Sequence, residues 1–213
     1  MDGVLFDTSE LHFFTWVHTL QRYNIRFTYE MFQSIFGMKT EDFLATVFGK
    51  KRDHEFIARV SDEKEKLFRE MSPGRVQLQP GVLDWLARLK TKGILQAVAS
   101  SAPQANVDTL VDLAGIRPFF SAIISSAGLP GKPDPAVFLT AAGSIGVPAE
   151  RCIVVEDAVV GVEAASRAGM KCIAVTTSNS TEALSAADLV VDRLDALAPD
   201  SFEKLMGLNG NAA

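Results

Sequence analysis

Four stretches of this chain carry side chains that could do chemistry together. Asp2 and Asp7 lie in the opening run MDGVLFDT, and the pair Glu156-Asp157 directly follows the apolar run CIVV. A crevice collecting these carboxylates disfavours their joint ionisation unless a cation sits among them, and hard oxygen donors of this kind suit Mg2+. One carboxylate at such a position would be read as a helix cap, since acidic residues are favoured there in any case. The adjacent pair, with further polar groups at neighbouring strand ends, favours the metal. Lys132 lies between Gly131 and Pro133 in the run GKPDP, a stiff loop that would fix an ammonium. Alone it is a solvated loop charge; beside a divalent cation it would suit a phosphate. Ser100 and Ser101 follow another apolar run and offer hydroxyl and backbone N–H groups where a helix should begin, an anion position as much as an N-cap.

These residues need a scaffold that brings distant parts of the chain together, and the patterning supplies one. From Leu78 onward, short β-rich runs alternate with helical stretches: Leu95 to Ala99, Ala122 to Ile124, Cys152 to Val155, Cys172 to Val175 and Leu189 to Val191. That alternation predicts βαβ units and a parallel, doubly wound sheet, whose ligands bind beyond the carboxyl ends of the strands. Serines, Lys132 and the Glu156-Asp157 pair follow those ends. Between Ser9 and about Ser72 the texture differs. Phe13, Trp16, Val17 and Leu20, then Phe43, Leu44, Val47 and Phe48, then Val60, Leu67 and Met71 recur at helical spacing, which predicts an all-helical block. Ser72-Pro73-Gly74 closes this block before the α/β pattern begins.

Composition narrows the function. The 213 residues are 47% hydrophobic and 22% charged, the balance of an ordinary globular protein. A net charge of -5 and no basic block longer than Lys50-Lys51-Arg52 argue against a nucleic-acid surface. No apolar run reaches the roughly 18 residues of a membrane span, and the start lacks the basic character of a secretory signal, so a cytoplasmic chain is expected. Cys152 and Cys172 each sit inside an apolar run and read as small buried thiols rather than a disulfide or metal pair.

Taken in order, DGVLFDT at residues 2 to 8, the serine at 100, GKPDP around Lys132 and VVEDAVVGVEAASRAGM from residue 154 resemble the motifs of the haloacid-dehalogenase-type phosphohydrolases. The match is to those with a helical cap of the first type, in the subgroup of phosphoglycolate phosphatase and β-phosphoglucomutase. The resemblance covers essentially the whole chain. It implies a Rossmann-like α/β core of residues 1–8 and 78–213 with an inserted helical cap of residues 9–77 that closes over the crevice, and phosphoryl transfer through an aspartyl-phosphate. It also implies Mg2+ held by Asp2, Glu156 and Asp157, with Ser100 and Lys132 on the phosphoryl oxygens and Asp2 as general acid and base. Around the substrate it places Gly3, His12, Lys39, Thr40 and Ser101. The partner implied is a small phosphorylated metabolite, with no nucleic acid or membrane, and a monomer or weak dimer is expected.

In this family the first motif is Asp-x-Asp-Gly, and its first aspartate is the nucleophile. Laid on this sequence, Asp2 is the second aspartate and Met1 the middle residue, so the nucleophile and the first core strand would precede Met1. The expectation is a start assigned at the internal methionine of an Asp-Met-Asp-Gly motif, with a short form or pseudoenzyme as the rival. The chain as written should then bind metal and phosphate without turning over by this route. Substrate choice points toward a phosphatase, because Thr40 stands where the mutases have arginine, Phe36 where they have lysine, and Ala102-Pro103 where they tend to serine-lysine. His12 keeps a mutase in view, with Lys39 as a replacement cation for a sugar phosphate. The Glu156-Asp157 pair and Asp2 suit Mg2+ and phosphate better than a halide cradle.

Overall fold

Apolar residues returning every three or four positions make the helices of this protein, and short β-branched runs make its strands. The computed structural model describes residues 1–34, 40–49 and 53–207. In chain order the elements are β1 (Phe6–Asp7), α1 (Ser9–Gln21), α2 (Tyr29–Ser34), α3 (Thr40–Phe48), α4 (His54–Met71), β2 (Gln77–Leu78), α5 (Val82–Thr91) and β3 (Ala97–Ser100). They continue with α6 (Gln104–Leu113), β4 (Ala122–Ser125), α7 (Ala136–Ser144), β5 (Ile153–Glu156), α8 (Val159–Arg167), β6 (Lys171–Val175), β7 (Leu189–Val191) and α9 (Ser201–Leu205). The chain divides into one unit of Thr8–Val76 and another of Met1–Asp7 with Gln77–Ala213.

The first unit is helical. α1 and α3 pack on α4, and their facing stripes bury Trp16, Leu20, Phe43, Leu44, Ile57 and Val60 in one cluster with Phe27 and Phe32. Trp16 and Phe43 meet edge to face at 5.1 Å and 80°, the arrangement that aromatic quadrupoles favour. Asp53 fixes the start of α4 by accepting a 2.7 Å hydrogen bond from the Phe56 N–H, a cap of about 1 kcal/mol.

The second unit is α/β. β3 pairs in parallel with β4, Ala97 opposite Ala122 through Ser100 opposite Ser125. β5 pairs in parallel with β6, Ile153 opposite Lys171, and β6 with β7. α6 packs on β4, α7 on β3 and β4, and α8 on β5 and β6, covering apolar strands in the way parallel sheets require. Val137, Phe138, Val154, Val162, Ile173 and Leu184 are among the buried side chains. Cys152 and Cys172 are both free thiols; burial pushes the Cys172 thiol up to about 12, so it acts as a small apolar filler. A further antiparallel pair, β1 with β2, sets Phe6 opposite Leu78.

All five β-rich runs of the sequence form strands, but in two sheets rather than one. Among the described residues no ladder joins β3 to β5. Between them lies an apolar cavity of about 780 Å³, lined by Ala97 and Val98 on one side, Ile153 and Val155 on the other, and Met1. Ile94 and Leu95, which lead into β3, also face this cavity and are correspondingly exposed, at 41% and 52%. No helix among the described residues is long and apolar enough to cross a membrane.

Candidate active site

Because β3 to β6 run parallel within their sheets, the residues that end them are the first place to look for chemistry. Ser100 ends β3 and is buried, its Oγ accepting from the Ala102 N–H at 3.1 Å. The helix expected at Ser100 begins only at Gln104, with Pro103 as its flanking residue. Proline biases the residue before it away from helical backbone, so Ser100 is a strand-end hydroxyl rather than an N-cap. Ser101 is exposed in the intervening bend. Ser125, ending β4, donates to the Ala102 carbonyl at 2.7 Å and ties the two strand ends together.

Lys132 reaches this edge from the loop between β4 and α7, where its peptide bond to Pro133 is cis. Its ammonium donates to Oε1 of Glu156, the last residue of β5, and lies 4.7 Å from the centre of the Phe138 ring. The other Glu156 oxygen, Oε2, accepts the N–H groups of Asp157 at 2.8 Å and Ala158 at 3.0 Å. Burial alone would push this carboxyl up; the Lys132 ammonium, the Met1 amino group and these hydrogen bonds outweigh it and hold Glu156 below the usual carboxylate range. Gly161, one turn into α8, leaves the space that the Glu156 carboxylate occupies: a Cβ there would overlap its Cδ.

Asp157 faces a different neighbourhood, because successive residues leaving a strand point apart. It is 8% exposed. Ser178 Oγ donates to its Oδ2, and Asn179 Nδ2 donates to its main-chain carbonyl at 2.8 Å. Burial, then the charge of Glu156, raises its carboxyl to about 6 against the opposing Ser178 hydrogen bond and the Met1 amino group. The turn at the head of the chain sits against it. Gly3 has φ +69°, in the region only glycine enters freely, and a Cβ on it would collide with Asp157 Oδ2. Thr177 Oγ1 donates to the Gly3 carbonyl at 2.6 Å. Asp2 forms a single bridge to Phe6, and the Met1 carbonyl accepts from the Leu5 N–H at 2.7 Å.

The expected convergence of three carboxylates is therefore corrected. Among the described residues no three His, Cys, Asp or Glu side chains gather where they could share a metal ion. Glu156 turns its carboxylate to Lys132 and to the backbone opening α8, while the turn at Gly3 and the Ser178 hydroxyl lie against Asp157. Asp157 supplies one buried hard-oxygen carboxylate at this edge, a single member of the donor set that a divalent ion would need.

In the helical unit, His12 lies on α1 with its ring stacked 4.3 Å from Phe68 at 15°. Lys64 Nζ sits 2.8 Å from His12 Nδ1, within hydrogen-bond reach. Lys64 is only 2% exposed and also pairs with Glu65 at 2.9 Å. Sequence reasoning passed over Lys64, although Val60, Lys64 and Phe68 share a four-residue spacing on α4. Thr40 is the half-buried first residue of α3, and Lys39 lies outside the described residues.

Comparison with known proteins bears on this geometry. Residues 1–175 match the haloacid dehalogenase-like hydrolase family. The β-phosphoglucomutase of Bacillus subtilis is 32% identical over 201 residues, 90% of this chain and 86% of that protein. The chloroplastic 5-amino-6-(5-phospho-D-ribitylamino)uracil phosphatase of Arabidopsis thaliana is 35% identical over 176 residues, 82% of this chain but 47% of that protein. The chain thus spans about half the length of this second relative. The crystal structure of CbbY from Rhodobacter sphaeroides in complex with phosphate superposes with a TM-score of 0.83 at 26% identity, covering 93% of each chain. With a profile match over most of the sequence and the strand-end residues in an α/β core, the chain belongs to the haloacid dehalogenase-like hydrolases.

Proposed function

We propose that this chain is the core and cap of a Mg2+-dependent phosphatase acting on small phosphorylated metabolites such as sugar or organic-acid phosphates. The observation that carries the reading is the contact between the Gly3 turn and Asp157, with Lys132 anchored at the end of the same strand. Asp157 and the main-chain carbonyl of Asp2 would hold Mg2+, which would supply charge neutralisation at the transferring phosphoryl group. Glu156 serves by fixing Lys132, and Lys132 and Ser100 bind phosphoryl oxygens. Asp2 gives its proton to the departing alkoxide and takes one from the water that hydrolyses the aspartyl-phosphate. The nucleophile of that intermediate belongs at the position preceding Met1, at the end of a strand entering the cavity between β3 and β5. His12, Thr40 and Lys39 are proposed to contribute to substrate binding.

A second reading, a β-phosphoglucomutase-like phosphosugar mutase, draws on the Bacillus subtilis relative and on the His12–Lys64 contact. The test extends the chain upstream with an apolar strand ending in aspartate and assays a panel of phosphate esters, including β-glucose 1-phosphate with its bisphosphate primer. Mg2+-dependent release of phosphate supports the phosphatase, and isomerisation without net release supports the mutase. No activity on any ester favours a non-catalytic protein. A cytoplasmic location belongs to the same proposal; a relative named as chloroplastic makes a plastid the rival, and cell fractionation separates the two.

A further inference from the structure

The cavity between β3 and β5 lies wholly within the α/β unit, and two of its walls are strand edges. β3 bonds to β4 and β5 to β6; among the described residues no ladder uses the opposite edge of either strand. Those edges present main-chain donors and acceptors to an otherwise apolar space of about 780 Å³. An acyl chain would fill the volume but leave these groups without partners and shut away from water, which is costly for each of them. An extended peptide fills it and pairs with both walls, the mode of strand addition in which main-chain bonds give affinity and side-chain contacts give choice. One wall runs from Ile94 to Ala99, the length of about six residues in a strand rising about 3.3 Å each.

The choice lies at one end of this slot. Glu203, on α9, is among the lining residues. Its Oε1 accepts from the Lys92 ammonium, just ahead of the run into β3, so it marks the amino end of that strand. Its Oε2 is buried and has no hydrogen-bond partner. A carboxylate oxygen left bare in an apolar wall is destabilising, and a second cationic donor would relieve it. Glu150 and Arg151, the other charged residues of the lining, are exposed neighbours of opposite sign and give the slot no net charge. We propose that this slot is a peptide-binding site: it takes an extended apolar segment of a separate polypeptide as a strand beside β3, and Glu203 selects a segment with lysine or arginine at its amino end. The inference rests on the proposed function for a strand at this place. It adds that the groups recognising the strand all belong to the walls, so that a covalent link to Met1 is not required, and that the amino end is read by charge.

The test uses the full chain and the fluorescence anisotropy of a synthetic peptide, a lysine followed by alternating valines and isoleucines, with its own amino group acetylated and a glycine-serine tail bearing the dye. The parent should bind it. Norleucine in place of the lysine should weaken binding by at least about tenfold, the size of one charge-assisted hydrogen bond, a comparison that needs no variant of the protein. Glu203→Gln, at an unchanged urea midpoint, should bind the two peptides alike. Methylation of alternate peptide nitrogens should abolish binding, and decanoate should not compete. No binding by the parent, undiminished binding of the methylated peptide, or displacement by decanoate would overturn the strand site. Equal affinity of the parent for the two peptides, or a lysine preference that persists in Glu203→Gln, would overturn the role of Glu203. A parent that self-associates and comes apart when peptide is added has a second copy as its occupant, which overturns the separate partner. None of these readouts involves catalysis: a failed peptide titration beside Mg2+-dependent phosphate release by the upstream-extended chain would overturn this inference alone and leave the phosphatase standing.

Discussion

The ammonium of Lys132 donates to Oε1 of Glu156 at the carboxyl end of β5, and their side chains are 11% and 6% exposed. A pair this far from solvent costs much desolvation, and its attraction is realised only while both partners are present. Lys132→Met should destabilise the fold by about 3 to 5 kcal/mol in urea titrations, because it leaves the Glu156 carboxylate buried without its cation. Lys132→Met with Glu156→Gln should cost at least about 1 kcal/mol less than the two single changes added together. Additive losses would mean that the two side chains are not coupled.

Two glycines set the room that the carboxylates occupy. In Gly161→Ala the new methyl group meets a Glu156 carboxylate pinned by Lys132 and by two backbone N–H groups. The carboxylate cannot yield cheaply, and the expected loss is about 1 to 3 kcal/mol, the range of an overpacked core. In Gly3→Ala the left-handed backbone adds about 1 to 2 kcal/mol to the collision with Asp157. Gly143→Ala, with nothing within 4 Å of the added Cβ, should leave the melting midpoint close to that of the parent, and thermal melts of the three variants check the order.

Asp157 gives the protein a pH dependence of definite sign. Its carboxyl lies at about 6 in the folded chain against an ordinary 3.8, so between those values the folded state holds a proton that the unfolded state has released. Stability therefore falls as pH rises from about 4 to about 6, by up to about 3 kcal/mol from this group. Glu156, held low, acts in the opposite direction: its contribution is lost as pH falls through its depressed folded-state value. Urea titrations across pH 4 to 6 should show that Asp157→Asn removes the Asp157 share of the slope, and saturating Mg2+ should flatten the parent's slope by favouring the ionised form.

The strands and most helices were legible because burial imposes a period on the sequence, and β5 is the plainest case: four apolar residues followed by two acids. What period cannot show is which way a side chain turns. Glu156 and Asp157 are neighbours in sequence and were expected to share a cation, yet one serves Lys132 and the other meets the Gly3 turn. β1 and β2 are two residues each, too short to carry any period. The gap between β3 and β5 was foreshadowed only by motif register, since strand runs do not say which neighbours pair. Thr177, Ser178 and Asn179 could have been found, because the rule that sent attention to the ends of the earlier strands applies equally to β6.

The most direct test of the account is made on the upstream-extended chain, with its added strand ending in aspartate immediately before Met1, compared with the same chain carrying asparagine there. Incubated with a 32P-labelled phosphate monoester and Mg2+, the aspartate form should release inorganic phosphate and, quenched in acid, carry a hydroxylamine-labile label at the added aspartate, while the asparagine form does neither. Equal phosphate release by both forms, or release without Mg2+, would contradict it.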